Sequence, residues 1–528
     1  MDKCQGNSPL QVLLILIFIF INLTLYIHQV PLFHEEPRRA LIAQEMILRR
    51  DYVVPKVCQE PYYKKPPFHN WLIAGISLRN GIVSNFNARI ISVISLILIG
   101  TAVYLLLLKI DPGVAFIAFL ISMTNYLILC GYGNKAEPDL LLTLLTFLSY
   151  FFYIKNPTDF GHIAISSVLM GLGILTKGTS PLFFYPGLVL HAWMHPEIRS
   201  KRLKSLFLHS LLSPIFPLIW MLLYYLHGDL NSFMKGFLLE IGGRARGNFG
   251  KFLPHLVAYP FKVMAALLPW SLVVVFAFKN DPVKNEIYES SLMGCISSFL
   301  IFMTFAGSRS RHLLPAFPFF AITAAFHIQG HKRLGPTFSR VSFWIFALLC
   351  LLAGIYLLSQ NFRTQPVVFF LLAVVSFSIS RRSYNILNYT LLLVLLFLTA
   401  HENGFYFYKL KTRPDYRDTA KAIGKDLDKS KPLVVYNKAV HLRLALDIER
   451  AIKEPVYSKR IANFEEYYLI AEPGLLMPYC AEISRINYPK GASQTVSVSV
   501  ASCDKKSENR DVGRVRPLPH LSGRLLWE

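Results

Sequence analysis

The stretch that decides the fold is Leu10–Tyr26, LQVLLILIFIFINLTLY, which contains no charged residue. Apolar runs of similar length recur up to about Ala400, and each is long enough to cross a hydrocarbon core of about 30 Å as a helix. We count about thirteen such runs. No small-residue cleavage site follows the first run, so we interpret it as a retained anchor. The sequence therefore predicts an α-helical polytopic membrane protein.

The overall composition agrees with this class. Of the 528 residues, 53% are apolar and 16% are charged, which is outside the usual range of soluble domains. The formal net charge of +23 would suggest a nucleic-acid partner if the chain were soluble. In a membrane protein, however, such cations flank the spans and set the topology. We therefore predict membrane lipids, and no nucleic acid, as partners.

Basic residues are arranged as expected if the N-terminus is cytoplasmic, because every predicted inside loop is basic. Those loops contain Lys109, Lys155, Arg199, Lys201, Arg202, Lys204, Lys279, Lys284, Lys332, Arg333, Arg340, Arg381 and Arg382. An odd number of spans then places everything after about His401 on the outer face. We expect a multi-pass protein of the bacterial inner membrane, with its active site and C-terminal domain on the extracytoplasmic side.

Three regions outside the predicted spans are long. The transmembrane domain is predicted over residues 1–401, with long outer loops at 27–87 and 227–254. Long loops commonly carry function. A soluble α/β domain is predicted over residues 402–502, and the polar residues 503–528 are predicted to be a disordered tail.

Periodicity in the C-terminal region predicts both helices and strands. The predicted helices are residues 415–427 and 441–452, and the predicted strands are residues 432–436, 467–471 and 495–499. Cys480 and Cys503 both lie in this region and could pair in an oxidising compartment, although their positions in the sequence do not establish a disulfide.

Two adjacent acids stand in the segment FHEEPRRALIAQEM, residues 33–46. Pro37 is typical of a first helical turn, so a helix is expected from there to about Leu48. Neighbouring residues on a helix do not share a face, so at most one of Glu35 and Glu36 should point into a site. The other should cap or brace the helix. Acids at a helix start also have a structural explanation, because they interact favourably with the helix dipole by up to about 1 kcal/mol.

The same outer loop contains a pair of lysines in PYYKKPPFHNW, residues 61–71. Pro66 and Pro67 hold this chain extended, and the flanking aromatic residues are typical of a membrane interface. A rigidly held cation at headgroup depth is well placed to bind a lipid phosphate. Lys64 and Lys65 are therefore candidate phosphate ligands, although an interfacial anchor would have the same pattern.

Further ionisable residues lie in the later outer loops, and such groups at the mouth of a helical bundle usually mark a substrate path. The candidate catalytic carboxylates are Glu35, Glu36, Glu137 and Asp139. The candidate ligands of a lipid phosphate are Arg38, Lys64, Lys65, Lys177, Arg244, Arg246, Arg311 and His312. This combination suits glycosyl transfer, because cations stabilise a leaving phosphate and a carboxylate accepts the proton of an attacking hydroxyl.

The segments FHEEPRRA, YYKKPPFHNW, GLGILTKGTSPL, LLPWS and RHLLPAFP, in this order, resemble the GT-C membrane glycosyltransferases of the protein O-mannosyltransferase and aminoarabinose-lipid A transferase type. The resemblance extends to about Ala400 and is weaker beyond it. It implies a GT-C fold and a polyprenyl-phosphate-linked sugar donor. The family's acidic motif falls on residues 35–38, with Glu35 where Asp is usual and Arg39 where Tyr is usual.

The resemblance also implies roles for other candidates. Lys65 falls on the lysine expected to hold the lipid phosphate, and Lys177 falls on the lysine of an LTKGP-like turn. His312 replaces the Tyr of the family's YLLP segment. A second acidic motif, before the fourth span, corresponds to Glu137 or Asp139, and the resemblance does not choose between them.

We therefore predict a transferase that moves a sugar from a polyprenyl-phosphate donor to lipid A or another glycolipid. The expected mechanism is an inverting displacement, in which Lys65, Arg38 and either Arg244 or Arg246 hold the leaving phosphate and Glu35 is the base. If the acceptor is itself a phosphate, as in lipid A modification, no strong base is needed, and Glu35 would instead orient a sugar amine or a bound cation. A protein O-glycosyltransferase of the same fold would share every motif.

Two other classes fit less well. A transporter would place charges near the middle of its spans and often has repeated halves, whereas these charges gather at one predicted face. A non-catalytic scaffold would lack the acids that this chain retains. No cofactor follows with certainty from the sequence. The clustered carboxylates permit a divalent cation, but no ligand spacing requires one.

Overall fold

A computed structural model describes the chain except residues 1–8, 246–248, 269, 272–284, 331–335, 382–391, 393, 397, 401–408, 411–412, 414, 426, 429, 437–440, 460–461, 474, 478, 490–494 and 506–528. The chain forms two compact units. The helical unit comprises Met1–Ile27, Lys64–His69 and Arg89–Lys409. The sheet unit comprises His28–Tyr63, Asn70–Ala88 and Leu410–Glu528.

Helices dominate the described chain. They are α1 Pro9–Thr24, α2 Glu36–Arg49, α3 Phe68–Ser77, α4 Asn85–Leu107, α5 Pro112–Met123, α6 Asp139–Lys155, α7 Phe160–Lys177, α8 Tyr185–Met194, α9 Pro196–Leu212, α10 Ile215–His227, α11 Leu230–Ala245, α12 Phe249–Ala266, α13 Glu286–Thr304, α14 Phe317–Gly330, α15 Pro336–Ser359, α16 Gln365–Ile379, α17 Arg417–Lys425 and α18 Leu442–Ile452. Ile128–Tyr132 forms a π-helical turn, and Ser180–Phe184 and Ser310–Ala316 form 3₁₀ turns.

Several helices of the helical unit can cross a membrane by length and composition. Within the described residues these are Asn85–Leu107, Phe160–Lys177, Pro196–His227, Glu286–Thr304 and Arg340–Ser359. Shorter apolar helices are Leu10–Thr24, Pro112–Met123 and Gln365–Ile379. The predicted helical membrane class is confirmed, whereas the number of about thirteen spans stays a prediction.

The core of the helical unit is apolar and rich in aromatic rings. Phe147 of α6 and Phe319 of α14 are fully buried, with ring centroids 5.4 Å apart. Tyr150, one turn further along α6, meets the same Phe319 ring edge-on at 4.7 Å. Such edge-to-face pairs each contribute about 0.5–1.5 kcal/mol beyond the area that they bury. This packing connects the helix that begins at Asp139 to the rest of the bundle.

Residues 227–254, expected as a long outer loop, are largely helical, because α11 and the start of α12 lie within them. Phe233 and Phe237 are one helical turn apart and stack at 5.8 Å. Phe233 also meets the ring of Trp220 in α10 at 5.1 Å. The segment between the two predicted spans therefore contains a helix with one apolar face packed on its neighbour, and its placement on the outer side stays a prediction.

The sheet unit contains a two-stranded hairpin and a five-stranded sheet. The strands are β1 Lys56–Val57, β2 Glu60–Pro61, β3 Leu433–Val435, β4 Val456–Ser458, β5 Glu466–Ala471, β6 Cys480–Pro489 and β7 Thr495–Asp504. The larger sheet has the order β4-β3-β5-β7-β6, with β3 parallel to β4 and β5 and the other pairs antiparallel. Helices α17 and α18 and strands β3, β5 and β7 agree with the α/β character expected from the sequence.

Two findings adjust the expected domain limits. The last strand runs to Asp504, beyond the expected start of the tail at residue 503, and within it Cys503 pairs with Cys480 in a disulfide. The sheet unit also includes most of the first outer loop. Within this unit, Glu60 of β2 accepts a hydrogen bond from the Ser458 hydroxyl of β4. The expected division near residue 401 therefore separates segments that fold together.

Candidate functional site

The two adjacent acids at the start of α2 have different environments. Glu36 is the first residue of the helix, fully buried, and its Oε2 accepts a hydrogen bond of 2.9 Å from the backbone N–H of Phe33. Glu35 is the N-cap residue, and its side chain is 35% exposed. Pro37 stands in the first turn, where its missing N–H costs no hydrogen bond. Glu36 therefore braces the segment, and Glu35 is the more exposed acid of the pair.

Two arginines surround the Glu35 carboxylate. Arg38 Nη1 donates to Glu35 Oε2 at 2.5 Å, and Arg39 Nη2 lies 3.7 Å from the same oxygen. Arg39 is almost fully buried and also donates to the Tyr62 hydroxyl at 3.2 Å. Both guanidinium groups lie over the Tyr62 ring, at 5.9 and 5.4 Å from its centroid. The acid is thus held by a fixed positive group of a kind that also binds anions.

A buried ion pair connects α6 with α7 in the helical unit. Lys177 Nζ donates to Asp139 Oδ1 at 2.5 Å, and the two side chains are 6% and 3% exposed. Asp139 opens α6, where the helix dipole favours a carboxylate. Lys177 ends α7, and the next residue, Gly178, has a φ of +66° that favours glycine. The TKG sequence therefore ends the helix and positions its lysine.

A second acid lies two residues before Asp139. Glu137 Oε2 accepts a hydrogen bond of 3.1 Å from Arg311 Nη1, and Lys135 Nζ lies 3.7 Å from Glu137 Oε1. Burial, followed by the Asp139 carboxylate, raises the pKa of Glu137 against the opposing charges of Lys135, Arg311 and Lys65. Glu137, Asp139, Lys177 and Arg311 form a group that we call the acid–base cluster, and the charge of Lys65 acts on both of its carboxylates.

The other candidate ligands have more local roles or fall outside the description. His312 Nδ1 accepts a hydrogen bond of 3.2 Å from the backbone N–H of Arg309, which caps the 3₁₀ turn. Lys64 is half-buried. The side chain of Arg244 and all of Arg246 lie outside the described residues. The roles of these four residues at a lipid phosphate stay predictions.

A possible metal site differs from the candidate residues. Among the described residues, one group of three potential ligands has its atoms within 4.8 Å of one another, formed by His191, His195 and Glu289. None of the expected catalytic carboxylates belongs to it. His195 Nε2 is 2.9 Å from Glu289 Oε2, whereas His191 Nδ1 accepts a hydrogen bond from Arg202. A permanent cation donating to an imidazole nitrogen opposes metal binding at that atom.

Sequence analysis did not predict three residues of these groups as site residues. Arg39 appeared only as a departure from a motif, and Tyr62 only as an interfacial aromatic residue. Tyr132, in the π-helical turn, interacts electrostatically with Arg311 and has Lys135 at 4.8 Å from its ring centroid. A π-helical turn is frequent at functional sites, but it has no reliable sequence signal.

The fold is that of a helical membrane protein, and its candidate site residues form the groups of carboxylates and cations described above. The chain superimposes on the crystal structure of ArnT from Cupriavidus metallidurans bound to undecaprenyl phosphate, with a TM-score of 0.71, 17% identity, and coverage of 94% of this chain and 98% of that one. The apo state of the same protein gives a TM-score of 0.71 at 16% identity. This likeness shows that the chain has the GT-C fold expected from its motifs.

The sequence comparisons point to the same group of proteins. Residues 64–225 match the family model described as dolichyl-phosphate-mannose-protein mannosyltransferase. The undecaprenyl phosphate-alpha-4-amino-4-deoxy-L-arabinose arabinosyl transferase of Edwardsiella ictaluri is 26% identical over 56% of this chain and 55% of its own length. The enzyme of the same name from Yersinia pestis is 32% identical over 33% of this chain and 31% of its own length.

The matched region spans about half the length of the first of these relatives, and about a third of the second. The family model and the curated relatives are sugar transferases by name, and the solved structures have the same fold as this chain. The resemblance to GT-C membrane glycosyltransferases, first drawn from five short motifs, is therefore confirmed.

Proposed function

We propose that this protein is a glycosyltransferase that takes a sugar from a polyprenyl-phosphate donor and transfers it to lipid A or another envelope glycolipid. The reaction would take place at the outer face of the bacterial inner membrane. Since one fold can host several functions, the observation that carries the proposal is the acid–base cluster. It holds Asp139 and Lys177 buried as a pair, Glu137 beside Arg311, and Lys65 in electrostatic reach of both acids.

The proposed reaction is an inverting displacement at the anomeric carbon. An acceptor oxygen forms a bond to that carbon, the bond from the carbon to the phosphate oxygen breaks, and polyprenyl monophosphate leaves. Lys65 and Arg311, both in the helical unit, would stabilise the negative charge that develops on the leaving phosphate. Glu35, the more exposed acid of the pair, would accept the proton of an attacking hydroxyl, which typically contributes about 10²–10⁴-fold to the rate. If a phosphate of lipid A is the acceptor, no proton has to be removed, and Glu35 would instead orient the sugar amine.

An apolar cavity supports a lipid donor. It has a volume of about 400 Å³ and lies in the helical unit among α12, α13, the Ser310–Ala316 turn and α14. Leu267, Phe299, Leu313 and Phe317 line it, with only apolar surface exposed to its interior. Leu313 follows Arg311 by two residues. An isoprenoid chain bound there would therefore begin near a cation that is suited to its phosphate.

A protein acceptor is the second candidate. The matching family model is described as a protein mannosyltransferase, and its match begins at Lys64 and includes Glu137, Asp139 and Lys177. A protein O-glycosyltransferase would use the same donor chemistry. The two candidates differ in which molecule gains the sugar, so they are separated by analysis of the products.

The test is mass spectrometry of lipid A and of envelope glycoproteins from a deletion strain. The strain is complemented with the wild-type gene, with Glu35→Gln, or with Asp418→Asn, which changes a fully exposed acid. We expect one sugar to be lost from lipid A and to be restored by wild type and Asp418→Asn only. Loss of a protein glycan with unchanged lipid A would favour the protein acceptor. No change in either would contradict the transferase proposal.

A further inference from the structure

Arg413 of the C-terminal region contacts the short segment that leads into α2. Its Nη1 donates to the carbonyl oxygen of Pro31 at 3.3 Å and lies 3.8 Å from Glu36 Oε2. Its guanidinium carbon lies 4.7 Å from the centroid of the Phe33 ring. All four residues belong to the sheet unit. One side chain thus holds the segment through a carbonyl, an aromatic ring and a carboxylate.

The segment is closed by bonds of its own. Glu36 Oε2 accepts from the backbone N–H of Phe33, and the backbone N–H of Glu36 donates to the carbonyl of Phe33 at 3.2 Å. His34, between them, has a φ of +56°, in the left-handed region that only a few per cent of non-glycine residues adopt. A strained residue of this kind costs about 1–3 kcal/mol and persists where its surroundings determine it. Here those surroundings are the Glu36 carboxylate and the Arg413 guanidinium beside it.

Glu35 is the residue that immediately follows the strained His34. The direction of its carboxylate therefore depends on the His34 backbone as well as on the bond to Arg38. Arg413 is 11% exposed and Glu36 is fully buried, so their attraction is only weakly screened by solvent. Removing Arg413 would leave a buried carboxylate without this cation and would release the Phe33 ring. Both changes loosen the turn that aims Glu35.

We propose that Arg413 is a positioning residue for catalysis, which fixes the His34 turn and thereby the direction of the Glu35 carboxylate. This inference rests on the proposed function, in which Glu35 acts on the reacting groups, either as the base or by orienting the sugar amine. It assigns the C-terminal region a direct part in the reaction through the first outer loop. A misplacement of about 1 Å at a reacting group can lower a rate by about 10²-fold, which sets the expected scale.

The test uses the purified full-length chain, with undecaprenyl phosphate-4-amino-4-deoxy-L-arabinose and lipid A as probe substrates. Arg413→Gln should lower kcat by about 10- to 100-fold while the Kd for undecaprenyl phosphate stays within about twofold. Arg413→Lys, which keeps the charge but loses the planar stack on Phe33, should lose less. Arg49→Gln is the matched control, because Arg49 also lies over an aromatic ring of the sheet unit, that of Tyr457.

A double substitution distinguishes positioning from general destabilisation. If Arg413 acts through Glu35, then Arg413→Gln combined with Glu35→Gln should be no slower than Glu35→Gln alone. The assay must follow turnover to about 10⁻⁵ of wild type, since a general base contributes about 10²–10⁴-fold. Multiplying losses, or an Arg413→Gln enzyme with unchanged kcat, would overturn the inference. If Arg413→Gln does not fold, Phe33→Leu removes the same stack from the other side and should lower kcat in the same way.

The outcomes also separate this inference from the proposed function. An inactive wild-type protein would contradict the transferase proposal and, with it, any positioning role. A fully active Glu35→Gln protein would contradict the assignment of the base and remove the role of Arg413 in aiming it. An inactive Glu35→Gln protein beside a fully active Arg413→Gln protein would overturn the inference about Arg413 and leave the function standing.

Discussion

A buried acid on α2 should make the stability of the sheet unit depend on pH. Glu45 is 2% exposed, and it accepts hydrogen bonds from the backbone N–H groups of Cys58 at 2.5 Å and Gln59 at 3.0 Å. Burial outweighs these bonds and the charges of Lys56 and Arg49, and it raises the pKa of Glu45 from 4.5 to about 8. The acid is therefore protonated in the folded protein at neutral pH.

The direction in which stability changes with pH follows from proton binding. The folded state retains a proton that the unfolded state releases near pH 4.5, so the stabilising effect is complete below that pH and is lost as the pH rises towards 8. Between pH 5 and pH 8, Glu45 alone should lower the stability by about 3 to 4 kcal/mol, or roughly 300-fold in the opening equilibrium. Glu449 of α18, which is also buried with a raised pKa, should act in the same direction.

Cys58 provides a local assay, because it is fully buried, donates its backbone N–H to Glu45 and is not in a disulfide. Its rate of alkylation in the full-length protein, divided by the rate in a Cys58 peptide at the same pH, gives the opening equilibrium. In Glu45→Gln, the protection of Cys58 relative to wild type should rise roughly 300-fold from pH 5 to pH 8.

Asp418→Asn is the matched control, and its ratio to wild type should stay flat because Asp418 is fully exposed. At pH 5 the Glu45→Gln protein is expected to be less stable than wild type by about 1–3 kcal/mol, since one acceptor oxygen is lost. A ratio for Glu45→Gln that varies less than threefold across the pH range would refute the assignment of a protonated, buried acid.

Three further changes test the helical unit. Lys177→Met leaves the Asp139 carboxylate buried without its partner and should lower stability by about 3–5 kcal/mol, measured as the thermal midpoint in detergent. Arg311→Gln removes a guanidinium from Glu137 and, in the proposed reaction, from the leaving phosphate, and should lower kcat/KM by about 10²-fold. Gly178→Ala strains a residue with a φ of +66° and brings a Cβ to 2.6 Å from the Phe237 ring, so the thermal midpoint should fall by several degrees.

Each of these predictions has a contrary result. An unchanged thermal midpoint in Lys177→Met would mean that Asp139 is solvated or neutral without the lysine. If Asp139→Asn added to Lys177→Met gave no recovery, an unpaired charge would not explain the loss. Arg311→Gln at wild-type kcat/KM would remove that arginine from the donor site. Gly178→Ala at wild-type stability would show that the turn tolerates a side chain.

The local features of the site could be read from the sequence. Pro37 correctly indicated the start of α2, and the helix ends close to the expected Leu48. Adjacent residues do not share a helix face, and the two acids do differ, because Glu36 is buried and Glu35 is more exposed. Period-two alternation located β7, although not its full length to Asp504. These predictions succeeded because they depend on residues close together in the chain.

Features that depend on distant residues could not be predicted. The contact of Arg413 with Pro31 joins residues that are 382 positions apart in the sequence, and that with Glu36 is similarly distant. No local sequence pattern predicts such contacts. Strand β6 was not expected, because its pairing with β7 decides its structure more than its own composition does. The helix in the expected loop at 227–254 likewise depends on Phe233 packing against Trp220.

The most direct test of the central claim is to measure release of undecaprenyl phosphate by the purified protein. The full-length chain is incubated with undecaprenyl phosphate-4-amino-4-deoxy-L-arabinose and lipid A, with Glu35→Gln and Asp418→Asn in parallel. We predict release of undecaprenyl phosphate matched one-to-one by a sugar on lipid A, and no loss in Asp418→Asn. Glu35→Gln should lose about 10²-fold, whether Glu35 accepts the proton of the acceptor or orients the sugar amine. Equal release by wild type and Glu35→Gln would contradict the role assigned to Glu35, and no release with any lipid-linked sugar would contradict the account as a whole.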